Sequence, residues 1–184
     1  MDKLKLSSVS NFVAPYYEAK DVMHNMCHID RIWDISVKLT RNYPEASLKL
    51  IRVALYFHGV IHLPGGEEAT ITFLRSQQVC EGDIARIVRT AWDSQKDTNP
   101  DDILTIEGDI VHDAHLLEGG ETFWIVKTFA SGAAMGKTVE ESLSYLEQHV
   151  IGQFRCLLPE AQADFQVKED YAKDFAAKLR RGLA

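Results

Sequence analysis

Residues 24–62 read HNMCHIDRIWDISVKLTRNYPEASLKLIRVALYFHGVIH. From Cys27 to Tyr43, the residues Ile29, Ile32, Trp33, Ile35, Val37 and Leu39 recur at largely helical spacing, which predicts a helix. Pro44 ends that run and suits the first turn of the next. A second helix is expected from Pro44 to His62, with Leu48, Ile51, Leu55 and Val60 on an apolar stripe. Two successive apolar helices, with no strand-like alternation in either, decide the class as all-α.

The pattern continues outward. LPGG, Leu63 to Gly66, is a breaker. Helices are expected over Glu67–Val79 and Gly82–Asp93, the second carrying Ile84, Ile87, Val88 and Ala91 on one face. The polar stretch Ser94 to Asp102 contains Pro100 and reads as a loop. Helical spacing returns from Ile103 to Glu118, and Gly119-Gly120 stops it. Glu121–Ala130 is apolar and aromatic enough for a buried helix. Ser131–Lys137 holds Gly132 and Gly136 and reads as a loop. Thr138 with Glu141 forms a capping box opening a helix to about Leu158. After Pro159, the residues Phe165, Tyr171, Phe175 and Leu179 mark a last amphipathic helix that Gly182 ends. Trp33, Trp92 and Trp124 read as core residues. The expected architecture is a single helical domain over residues 1–184.

The chain has 184 residues, 46% of them hydrophobic and 26% charged, the composition of an ordinary globular domain. Its net charge of −7 argues against a nucleic-acid polymer or an anionic membrane as partner, since both demand a basic face. A small phosphate held by a few local cations stays compatible with that charge. Cys27, Cys80 and Cys156 form no close pair, so neither a disulfide framework nor a cysteine zinc site is expected. No signal-peptide core and no membrane-length apolar run appears. The expected setting is cytoplasmic, and a homodimer stays open.

Six of the seven histidines fall in pairs: His24/His28, His58/His62 and His112/His115. The first two pairs have i, i+4 spacing, which puts both rings on one helix face. For any single pair the plain reading is a hydrogen-bonded residue in or near the core. Three pairs on three helices point instead to one polar site for a metal ion or a phosphate.

Four segments then resemble one known family. His24-Asn-Met-Cys-His28-Ile-Asp-Arg31 is similar to the opening motif of the HD-superfamily phosphohydrolases. Ala54-Leu-Tyr-Phe-His58-Gly59 resembles the helix that ends in the family's His-Asp doublet. Ile110-Val-His-Asp113-Ala-His115-Leu-Leu-Glu118 resembles its Asp-Ala-Asp segment, and Lys127-Thr-Phe-Ala-Ser-Gly132 the helix end that follows in small bacterial members. Order and spacing agree over residues 20–135, and the helices of 138–181 would pack against that unit.

The resemblance implies an all-α HD-type bundle with a divalent metal ion held by His28, His58 and Asp113. Lys127 would contact a phosphate. His24, His62 and His115 would support the site or line the pocket, Arg31 would order the first helix through an ion pair, and Glu67 or Glu68 is a further candidate carboxylate. The implied activity is metal-dependent hydrolysis of a small phosphorylated metabolite or nucleotide. The alternative is a degenerate domain that binds such a ligand, or a protein partner, without hydrolysis. The pattern departs from the family at three places. The doublet's Asp is Gly59, the second Asp of the distal motif is His115, and Ile87–Ser94 holds no histidine. Losing carboxylates shifts the expected ion from magnesium or manganese toward zinc, iron or nickel.

Overall fold

The computed structural model describes residues 1, 4–95 and 99–183. Among them, nine α-helices and one short 3₁₀ turn at Pro100–Asp102 appear, and no strand. The helices are α1 Leu6–Glu18, α2 Met26–Thr40, α3 Leu48–Ile61, α4 Gly66–Ser76, α5 Glu81–Asp93, α6 Ile106–Leu116, α7 Phe123–Ala134, α8 Val139–His149 and α9 Pro159–Leu183. No helix among the described residues is long and apolar enough to cross a membrane.

Helix α3 is the axis. It packs against α1, α2, α4, α5 and α6, and every residue from 53 to 61 is buried. A helix that is apolar all round is stable only when surrounded, and five neighbours supply that cover. Two of its residues, His58 and Gly59, are therefore carried into the interior on a rigid element. The Ser47 hydroxyl accepts from Leu50 N and starts this helix. Pro44–Ala46 accordingly form a turn rather than the expected first helical turn.

Helix α1 had no sequence expectation, because Pro15 and a run of serines obscure it. Its signal is the stripe Val9, Val13, Tyr17, all buried, at i, i+4 and i+8. Phe12 of α1 stacks on Phe73 of α4 at 4.3 Å, and both rings lie 6.1 Å from Phe57 of α3. This aromatic knot fixes α1 against the axis, which later places Tyr17.

Other boundaries differ for local reasons. Helix α7 runs through Ser131–Ala134, expected as loop, because Gly132 lets the helix meet the Ser142 side chain of α8. Thr138 and Glu141 do form a capping box, but α8 stops at His149 and a turn with Gly152 at φ 75° precedes α9. Residues 96–98 of the loop expected at Ser94–Asp102 lie outside the described residues. Trp33 packs against the core and Trp124 is buried, but Trp92 is 37% exposed, with its indole N–H donating to Glu67 at 2.8 Å.

Helix α9 carries Lys168, which is 1% exposed. Its ammonium donates to Leu116 O at 2.9 Å and Glu118 O at 2.6 Å, the carbonyls that end α6, and lies 5.0 Å from the Trp124 ring. Burial lowers its pKa to about 7. The stem of a lysine here bolts α9 to the turn after α6.

Phe57 is 0% exposed at the meeting of three helices, so Phe57→Ala should cost ~3–5 kcal/mol of unfolding free energy in a urea titration.

Candidate functional site

Three helices bring three imidazoles together. His28 near the start of α2, His58 near the end of α3 and His115 in the last turn of α6 have ring centroids 5.0, 5.1 and 5.6 Å apart. His24 adds a fourth ring 5.8 Å from His28. Lys20, Asp21, Gly59, His62, Gln95 and Lys127 complete the lining of the pocket.

Each imidazole is tied through the same nitrogen. His58 Nδ1 lies 2.6 Å from Leu55 O, His115 Nδ1 2.5 Å from Ser94 O, and His62 Nδ1 3.2 Å from His58 O. A carbonyl only accepts, so in these rings Nδ1 carries the hydrogen. His28 Nδ1 donates to Glu118 at 2.7 Å, and His24 Nδ1 to Asp21 at 2.9 Å. Nε2 is then the lone-pair nitrogen of each ring that is neutral. Burial keeps the inner three neutral: it lowers the pKa of His28, reinforced by His58 and Lys127, brings His58 to about 4, and holds His115 well below the usual range. Neutral imidazole anchored through its second nitrogen is the form that ligates metal ions.

Glu118 gathers the cations. It is 2% exposed and accepts from His28, from Arg31 Nε at 2.7 Å and from Lys127 Nζ at 3.2 Å. Ligand atoms of His28, His115 and Glu118 lie within 4.8 Å of one another, a group that could hold a metal ion. Sequence reasoning did not single out Glu118, although it stands at the last acidic position of the distal motif.

Asp113 is not in this group. Position 113 faces away from position 115 on α6, and its carboxylate accepts from Leu157 N at 2.9 Å, Leu158 N at 2.7 Å and His112 Nδ1 at 2.8 Å. Both residues are buried there, so the carboxylate joins α6 to the segment before α9. The place expected for Asp113 in the cluster is taken by His115, the replaced second Asp of the motif. Of the pair His112/His115 only His115 lines the pocket, while His112 bonds to Asp113. Glu67 and Glu68 also stand outside the histidine pocket, beside Arg75 on α4.

Gly59 has a steric reason. A Cβ there would collide with the Tyr17 hydroxyl and lie 2.7 Å from Lys20 Nζ. Gly59 N donates to the Tyr17 hydroxyl at 3.0 Å, which donates to Tyr56 O at 3.2 Å, and Lys20 Nζ donates to Gly59 O at 2.6 Å. The space of a doublet carboxylate is occupied by a phenol and an ammonium, both supplied by α1 and its exit turn. Nothing in local spacing reveals this, since residues 17 and 59 meet only in the fold.

No protein-family model matches the chain, and no curated protein does. Solved structures match over nearly the whole length. A Lactobacillus plantarum protein superposes with a TM-score of 0.78 at 16% identity, covering 97% of this chain and 96% of that one. A Bacillus thuringiensis HD-superfamily hydrolase gives 0.69 at 19% identity, covering 97% and 96%. The chain has the HD-domain fold. Another protein of the HD type, Bacillus subtilis YpgQ solved in complex with ADP, gives 0.70 at 16% identity, covering 95% and 97%.

Asp113→Ala should lower unfolding free energy by ~3–5 kcal/mol, because it strands the buried partners of a carboxylate, as read from urea denaturation. The buried histidines give a second outcome. The unfolded chain binds their protons first, so stability is whole above pH ~6.5 and falls as pH drops. His58 alone, with its pKa brought from 6.5 to about 4, should cost ~3 kcal/mol by pH 4, and His58→Gln should flatten the melting-temperature profile between pH 6.5 and 4.

Proposed function

We propose that the pocket holds an imidazole-preferring divalent ion of the zinc class and acts as a phosphohydrolase on a small phosphorylated molecule. The observation that carries this is the common anchoring of the histidines through Nδ1, which leaves neutral Nε2 lone pairs on the pocket side of the hydrogen-bond pattern. Magnesium prefers oxygen ligands, and the positions that would supply them hold Gly59 and His115. Zinc, iron and nickel accept nitrogen. His28 and His115, with His58 beside them, would hold the ion, and Glu118 would hold His28 in place or join it. A bound ion of this class polarises a phosphoryl oxygen and lowers the pKa of a bound water.

The chain's own groups do the rest. Lys127 and Lys20 place two ammonium groups at the pocket wall, where they attract and orient a phosphate. The Lys20 pKa is lowered chiefly by burial, while neighbouring Asp21 acts to raise it. The fold of YpgQ, solved with ADP, supports a phosphorylated ligand as the class.

One observation favours a second reading, binding without hydrolysis. Lys20 and Tyr17 fill the doublet position, so an ammonium group already stands there before any ion enters. In that reading the histidines and lysines seat the anion alone.

Elemental analysis of protein prepared without chelator, joined to a phosphatase screen with several divalent ions, tests the first reading. It predicts zinc-class metal near stoichiometry and turnover lost in His58→Ala. Glu118→Gln should weaken metal affinity by ~10–100-fold. Absence of metal, with turnover no higher than His58→Ala, would overturn it, and phosphate binding in that same protein would establish the second.

A further inference from the structure

A second cavity adjoins the histidine pocket. It has a volume of about 220 Å³ and shares Asp21, His24, His115 and Lys127 with the pocket as a common wall. Beyond that wall its character changes. Leu116, Trp124, Met135, Tyr145, Val150 and Phe154 line it, and most of its surface is apolar. Glu118, Thr128, Ser131, Lys137 and Ser142 also line it. Four of these five are engaged: Glu118 is paired as above, the Ser142 hydroxyl donates to Thr138 O at 2.9 Å, the Ser131 hydroxyl reaches Asp21 at 3.4 Å, and Lys137 lies over the Tyr145 ring at 5.1 Å.

One wall is fixed by packing, while Met135, Val150 and Phe154 come from the segments that join α7, α8 and α9. Trp124 is held edge-on by Phe165 at 5.2 Å and Phe154 at 6.3 Å, with Lys168 on its face. Leu116 ends the same helix that carries His115. An apolar cavity of ~150 Å³ already takes up benzene, so this one has room for a larger ring. Pockets for small ligands are mostly apolar, with a few convergent polar groups that set orientation. Here most of the charged groups gather at the shared wall, with Glu118 paired to Lys127 and Lys137 laid over Tyr145, and the apolar surface lies beyond it.

We propose that this cavity receives the organic half of the ligand, so that the protein takes a phosphate monoester carrying a ring-sized apolar group. The inference rests on the reading of the histidine pocket as a phosphate seat, and it adds what the phosphate is attached to. Lys127, at the seam, would face the bridging ester. Inorganic phosphate alone would use half of the site.

Calorimetric titration of the full chain with inorganic phosphate, 1-naphthyl phosphate and 1-naphthol tests this. Naphthyl phosphate should bind about tenfold or more tighter than phosphate, from the apolar area it buries. Thr128→Trp, which fills the cavity, and Met135→Asp, on its exposed rim, should each bring the ratio of the two affinities toward one. Two variants at different depths guard against one failing to fold. Equal affinities for phosphate and naphthyl phosphate, or a ratio untouched by both variants, would overturn the proposal. If naphthol binds and neither phosphate does, the cavity is real but the phosphate seat is wrong, and the proposal falls with that reading.

Discussion

The buried carboxylate of Glu118 is the constraint on which the site depends. It sits in the turn after α6, at 2% exposure, where an uncompensated charge is prohibitive. Compensation comes from Arg31 of α2 and Lys127 of α7, and neutral His28 of α2 adds a hydrogen bond. The backbone that carries it is held in turn by Lys168 of α9 through two carbonyls. Four segments distant in sequence therefore share one charge. Breaking a buried pair by removing one partner is far costlier than never having built it, so this network fixes the arrangement even if its net contribution to stability is small.

The tautomers of the histidines follow from the helices. Near a helix C-terminus, carbonyls lack intrahelical donors; His62 uses such an oxygen, His58 O, and His115 uses Ser94 O just beyond α5, while His58 bonds to Leu55 O one turn back in α3. Backbone geometry thus assigns Nδ1 to structure and leaves Nε2 for chemistry. Gly59 belongs to the same logic. On the most buried helix of the fold, the absence of a side chain admits Tyr17 and Lys20, and a position that elsewhere in the resembled family bears negative charge lies beside positive charge.

The class of fold was legible because its signals are local: helical periodicity in α2 to α6, a capping box at Thr138, and proline and glycine punctuation. Helix α1 was missed because Pro15 and low-propensity serines outweigh a three-residue stripe. The site was legible only in part. His24, His28, His58, His62, His115 and Lys127 do line one pocket: His62 follows His58 by one turn at the end of α3, whereas His24 reaches it from the turn before α2. Asp113 separated from them because positions 113 and 115 differ by about 200° of helix rotation, and a motif match does not say which of its acids faces inward. Glu118 and Lys20 depend on contacts spanning 90 and 39 residues, which periodicity cannot express.

The central claim is that the fold dictates neutral, Nδ1-protonated imidazoles around one pocket. Long-range ¹H–¹⁵N correlation of the histidine rings near pH 7 tests it directly. The account predicts Nδ1–H signals, with Nε2 unprotonated, for His28, His58 and His115. Imidazolium signals, or Nε2–H tautomers in these three rings, would contradict it.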